Sequence, residues 1–243
     1  MTQNKGQTKT KSRKYLWSIT NTPSSVTCWS LFSECIHAAT VRTCEYLHFT
    51  DLENKFYPSS ATLREIFLMT YIQRSLHLNL TKMFSCTVMT QKQRLILGTD
   101  WVWALLDLPS KNPRIQIAVQ VLHLSEHIEE DREKCSCMEI LRTSGPEALE
   151  KTRVERMVEF CSSVGRTCFA LFLFFGRKND PGTVWGLLSN NLHEALGRCV
   201  RIDQDFVEGF FKGAKGWVTS GGMLQAVINK KDNDPLTMLV KFT

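Results

Sequence analysis

No stretch of this sequence is apolar enough, for long enough, to cross a bilayer as a helix. The longest unbroken apolar run is the eight-residue Cys168–Phe175, against the ~18–20 residues a spanning helix needs. No apolar segment follows the polar, basic first residues, so a secretory signal is not expected. Thr2 follows the initiator where glycine would be needed, so N-myristoylation is not expected either. The last residues, Val240-Lys-Phe-Thr, hold no prenylation box.

Catalytic signatures are equally scarce. There is no GxSxG elbow and no HExxH pair. A phosphate-cradling loop needs a lysine directly after its last glycine. Gly216 and Gly221 have the right gap, but Gly222 stands where the lysine should be. Cysteine framework spacing is absent too. The nine cysteines are an odd, scattered set, which reads as reduced thiols packed as small apolar groups in a cytosolic protein. The sequon Asn79-Leu80-Thr81 is then idle.

Charge is uneven. The formal net is +6, and Lys5, Lys9, Lys11, Arg13 and Lys14 lie among the first 14 residues without an acid. The remainder is near neutral, which argues against a nucleic-acid-binding face. The basic tail reads as solvated and disordered; weak contact with an anionic membrane or an acidic partner is the sharper alternative.

What the chain does have is apolar surface: 43% hydrophobic and 10% aromatic residues, enough for an ordinary core. It is densest between Gln91 and Leu124, around Trp101 and Trp103. Helical spacing of Leu31, Cys35, Ala38, Ala39, Arg42 and Tyr46 predicts a helix over Ser30–Leu47. A loop, Phe49–Ser60, leads to a second helix capped by Thr62 with Glu65 in a capping-box position. A third helix is expected from Gln91 to Leu106, with Gly98 inside it at a cost of about 1 kcal/mol. β-branched alternation favours a strand over Arg114–Leu124, with a buried helix as the alternative. Gly145-Pro146 should start the next helix, with a core stripe at Val154, Met157, Val158 and Cys161 and an end at Gly165. Cys168–Phe175 reads as a strand buried on both faces. Lys178–Gly182 reads as a turn. Val184–Leu188 is a return strand or a helix start, and helix is expected from Ser189 on. A short helix over Met223–Ile228 precedes a last strand, Thr237–Phe242, expected to pair with Cys168–Phe175.

The sum is an α+β fold, helix-dominated around a small buried sheet. One arrangement has a disordered basic tail (1–25), an N-terminal helical lobe (26–124), an acidic linker (125–144) and a C-terminal α+β lobe (145–243). The other is one compact domain over 26–243.

Two clusters merit a functional reading. His123, His127, Cys135 and Cys137 resemble a metal set, since two histidines at i,i+4 on a helix can join two thiolates. Against that, Cys-x-Cys is tighter than usual zinc spacing, and surface histidines with loop thiols explain the same residues. Phe210, Phe211 and Trp217 lie in a glycine-rich context, with Gly209, Gly213 and Gly216, where burial is less assured. They are candidates for an exposed partner-binding patch, with core packing as the plain alternative.

Leu63–Leu68, the Leu97-Gly-Thr-Asp-Trp-Val-Trp103 segment, Ile115–Leu122 and Val158–Gly176 together resemble the Rab-fifteen effector protein family. The likeness runs from about Cys35 to Ser125 and from Arg153 to Gly176; it thins after Asp180. The matching residues are mostly core, so they mark the family without marking a binding surface. The resemblance implies a two-lobed fold and a non-enzymatic effector that binds GTP-loaded Rab GTPases, without cofactor. It further implies a role in receptor recycling, in the cytoplasm and peripheral to early and recycling endosomes. Readings of another class are a cryptic cysteine- or zinc-dependent hydrolase, resting on the His/Cys cluster, and a peripheral membrane scaffold steered by the basic tail.

Overall fold

A computed structural model describes residues 25–49, 51–53, 55–123, 151–175, 183–191, 211–231 and 234–243. These form a mixed seven-stranded sheet with helices on both faces. In chain order the helices are α1 (Ser25–Leu47), α2 (Ser60–His77), α3 (Gln91–Leu97), α4 (Arg153–Val164) and α5 (Ser220–Asn229). The strands are β1 (Phe84–Val88), β2 (Trp101–Leu106), β3 (Pro113–His123), β4 (Cys168–Phe175), β5 (Val184–Ser189), β6 (Val218–Thr219) and β7 (Thr237–Phe242). Their spatial order is β1-β2-β3-β4-β5-β7-β6. The sheet is antiparallel except where β4 runs parallel to β3, and β6 to β7. Residues from either side of 125–144 thus lie in one sheet, joined by eight paired positions from Gln116↔Cys168 to His123↔Phe175.

The unbroken apolar run of β4 follows from this position. Phe169, Leu171, Leu173 and Phe175 point to a core built with α1, α2 and α5. Cys168, Ala170, Phe172 and Phe174 point the other way, to a core built with Met157, Val158 and Cys161 of α4. A strand covered on both faces has no solvent side, so it shows no polar alternation. Trp101 and Trp103 sit on the first face. Trp101 stacks near Phe67 (5.8 Å between ring centroids), and Trp103 meets Tyr71 at 5.0 Å and Phe32 at 5.4 Å.

Several expectations are corrected. The third helix does not run to Leu106. It opens with a Thr90/Gln93 capping box and stops at Leu97, because Gly98 takes a left-handed conformation (φ 70°). Trp101–Leu106 is strand β2, where Trp101 and Trp103 alternate with Val102 on opposite faces. The second helix is capped by Ser59, not Thr62: the Thr62 N–H donates to Ser59 Oγ at 3.1 Å. The last strand pairs with β5, not with Cys168–Phe175. Strand β1 lies between the second and third helices, where no strand is expected, and Ser189 ends a strand; the rest of the helix expected from Ser189 on lies, after Asn191, outside the described residues. The described helix before β4 begins after Thr152, whose hydroxyl accepts from Glu155 N; Gly145-Pro146 lies outside the described residues. So do residues 1–24 of the basic tail, the 125–144 segment and the Lys178–Gly182 turn, whereas Ser25, expected to be disordered, opens α1. The strand reading of Arg114–Leu124 agrees with the structure through His123, Leu124 lying outside the described residues, and so do Gly165 as a helix end and Val184–Leu188 as a return strand.

The Leu97–Trp103 segment joins the two faces. Gly98 packs so tightly on the first turn of α4 that a Cβ there would lie 2.0 Å from Arg153 O and 2.7 Å from Met157 N. Two residues on, Asp100 is only 2% exposed. Its carboxylate accepts from Val121 N at 2.8 Å and from Arg153 at 3.2 Å, and lies 3.5 Å from Arg64. One buried carboxylate thereby ties β2, β3, α2 and α4 together. A buried charge is tolerated only with such partners.

Candidate partner-docking face

Of the residues singled out by sequence, two meet in the structure. Phe211 and Trp217 both pack on Trp185 of β5, with ring centroids 5.0 Å and 6.4 Å away and both contacts edge-to-face. Phe174 of β4 backs Phe211 at 6.3 Å. The register places Lys241 of β7 beside Trp185. Its Nζ lies 5.3 Å from the Trp185 ring and 5.6 Å from the Trp217 ring, so one ammonium serves two indole faces. Trp185 is buried, whereas Trp217 remains 52% exposed.

The local chain explains the projection. Gly216 leaves open space on one side of Trp217, with nothing within 4 Å of the place a Cβ would occupy. On the other side Val218–Thr219 is pinned as β6 against Val240–Lys241, and Thr219 caps α5 through Gly222 N. Trp217 is therefore held from one flank, backed by aromatic surface, and presented to solvent.

Sequence reasoning missed Trp185 and Lys241, whose proximity depends on strand order. It also missed a second exposed apolar feature. The α1–α2 loop presents Phe49, Leu52, Phe56 and Tyr57 to solvent, with Leu52 fully exposed. Asp51 Oδ1 holds the loop by accepting from Lys55 N and Phe56 N at 2.7 and 3.2 Å, and Phe49 and Phe56 meet at 6.0 Å. Four large apolar side chains within nine residues of a loop were the available signal.

The metal-like set is not assembled in the described residues. His123 is the last residue of β3, where a helical i,i+4 relation does not hold, and only its backbone is described. His127, Cys135, Cys137 and Phe210 lie outside the described residues. Among the described residues no group of three or more His, Cys, Asp and Glu could hold a metal ion. No described helix is long and apolar enough to cross a membrane.

The fold is that of a mixed-sheet α+β protein, and this face carries a half-exposed tryptophan at its aromatic corner. Comparison with known proteins places it further: residues 18–238 match the family model described as Rab15 effector, and the chain belongs to that family. It is 26% identical over 200 residues to the Rab15 effector protein of Mus musculus, an alignment covering 82% of this chain and 84% of that protein.

Proposed function

We propose that this chain is a non-enzymatic effector that binds Rab GTPases in their GTP-loaded form. It acts in receptor recycling, peripheral to early and recycling endosomes. The observation that carries the reading is family membership over nearly the whole chain, residues 18–238. The physical demand on such a protein is modest. The γ-phosphate orders the GTPase switch loops, so an effector needs only a surface that fits the ordered state. About 800 Å² per partner around a few aromatic anchors is enough.

The docking face in this proposal is the corner formed by Trp217, Trp185, Phe211 and Lys241. An exposed indole resting on the buried Trp185 supports that choice. The test is binding of the full chain to a panel of Rab proteins, each loaded with a non-hydrolysable GTP analogue or with GDP. Binding restricted to the GTP form of at least one Rab is expected. Equal binding to both forms, or to none across the panel, would overturn the proposal.

A membrane-scaffold reading has one observation in its favour, the apolar α1–α2 loop. It requires binding to anionic vesicles that is lost on deleting residues 1–14 or on L52S/F56S.

A further inference from the structure

Strand β1 closes one end of the sheet. It pairs with β2 on one side, and among the described residues no strand pairs with the other. Two bonds at its ends fix its orientation. Leu106 N–H donates to Met83 O at 2.7 Å, and Met89 N–H donates to Asp100 O at 3.0 Å. The N–H and C=O of a trans peptide unit point opposite ways, so the Phe84 N–H and the Val88 C=O face away from β2. Alternation along the antiparallel ladder adds Cys86 to that side. The free edge therefore offers the N–H and C=O groups of Phe84, Cys86 and Val88. Ser85 and Thr87, opposite Ala104 and Val102, bond to β2 instead.

Such an edge is a template for another strand, and folded proteins usually blunt it with lysine, proline or a bulge. The five residues of β1 include no charge and no proline, and the pairing with β2 has no register shift. Side chains set what fits. Phe84 and Cys86 lie on the face of the larger core, and Val88, in step with them, is 48% exposed. Ser85 and Thr87 alternate to the other face. An added strand thus meets apolar neighbours on one side of the sheet and hydroxyls on the other. Charge narrows the choice further. From Leu78 to Thr99 the sequence has Lys82, Lys92 and Arg94 and no acid. Lys82 and Lys92 are exposed and flank β1 in the chain. The Lys111 ammonium joins the first of them by donating to Lys82 O at 2.6 Å. Asp107, the acid of the adjoining turn, accepts from the Ser110 hydroxyl at 3.3 Å. A second copy of this chain would bring like charges together at this edge, whereas an acidic segment is drawn to them.

We infer that the free edge of β1 takes up an extended acidic peptide of another protein by strand addition, its main chain bonding Phe84, Cys86 and Val88 and its acids lying near Lys82 and Lys92. This edge is at the opposite end of the sheet from β7 and β6, so the inference is independent of the Rab reading and of the Trp217 corner.

The test is amide hydrogen exchange, read residue by residue by NMR on the full chain. The probe is a synthetic peptide, Asp-Glu-Val-Thr-Val-Thr-Val-Glu-Asp, compared with the same core flanked by lysines. With the acidic peptide, slowed exchange is expected at Phe84, Cys86 and Val88, and unchanged exchange at Ser85 and Thr87, whose N–H groups are already bonded. The lysine-flanked peptide should bind about tenfold more weakly. Val88→Pro removes one outward N–H and leaves the ladder to β2 intact, since an edge strand tolerates proline where its N–H faces solvent. It should abolish the slowing at Phe84 and Cys86 while Ser85 and Thr87 stay protected. No slowing at Phe84, Cys86 and Val88 overturns the inference, as does equal binding of the two peptides. So does an edge taken by a second copy, seen by light scattering as a dimer that Val88→Pro converts to monomer. The wild-type titration decides the matter even if the variant fails to fold.

Discussion

Replacing Gly98 by alanine should be among the more damaging single-methyl changes available in this chain. Gly98 ends α3 at φ 70°, and its Cα faces the first turn of α4. An L-residue held in this left-handed region costs roughly 1–2 kcal/mol. The added Cβ would also lie 2.0 Å from Arg153 O and 2.7 Å from Met157 N. Those are backbone atoms of a helix already packed on the sheet, so neither can swing aside. Separation requires α4 to shift relative to β2 and β3, and overpacking of that kind costs about 1–3 kcal/mol. The two terms together place Gly98→Ala at roughly 2–5 kcal/mol of destabilisation. For a chain of this size each kcal/mol lowers Tm by about 2–4 °C, so a drop of about 4–20 °C is expected by scanning calorimetry or thermal circular dichroism. Gly216→Ala is the matched control: nothing lies within 4 Å of its Cβ position, and a change within about 0.5 kcal/mol is expected. A Gly98→Ala protein with a Tm within 2 °C of wild type, by about the error of such a scan, would refute the close approach of α3 and α4.

Removing the Asp100 carboxylate should be comparably severe. Asp100→Ala leaves the buried Val121 N–H without its acceptor and removes the carboxylate shared by Arg64 and Arg153, a loss of about 3–5 kcal/mol by urea denaturation. Thr152→Ala removes the α4 cap and should cost about 1 kcal/mol. The same box sets a pH dependence. The backbone N–H and hydroxyl of Thr152 hold the Glu155 pKa below the usual glutamate value. Its contribution is therefore fully present above the unfolded-state pKa and fades as pH falls through the folded-state value. Glu155→Gln should flatten the acid side of the stability–pH profile and leave the neutral side in place; an unchanged acid limb would count against the capping box.

Much of the fold could be read from residue pattern alone, and the failures share a cause. β4 was legible because eight continuous apolar residues closed by glycine are too short for most helices and too uniform for a one-sided strand. The first helix and the Thr90 start of α3 were legible from spacing and cap chemistry. Trp101–Leu106 reads as helix only if Gly98 is a tolerated interior residue, whereas its role is the left-handed stop that lets α4 approach. The pairing of β7 with β5 could not be inferred, since strand order depends on which edge remains open once the other strands have paired. The same limit hid half of the aromatic corner. Trp217 and Phe211 were conspicuous beside glycines, but Trp185 and Lys241 join them only through the β5–β7 register.

The most direct test of the central claim is a comparison of Trp217→Ala with the wild-type protein in titrations against a GTP-loaded Rab that the panel shows to bind. Truncating the half-exposed indole removes its edge contact with Trp185, about 1 kcal/mol, and should lower Tm by only about 2–4 °C, whereas loss of an interface anchor at about 2 kcal/mol or more weakens Kd by roughly thirty-fold. A thirty-fold loss with only that drop in Tm is the expected result. Undiminished affinity for the same GTP-loaded Rab would contradict the assignment of the Trp217 corner as the docking face.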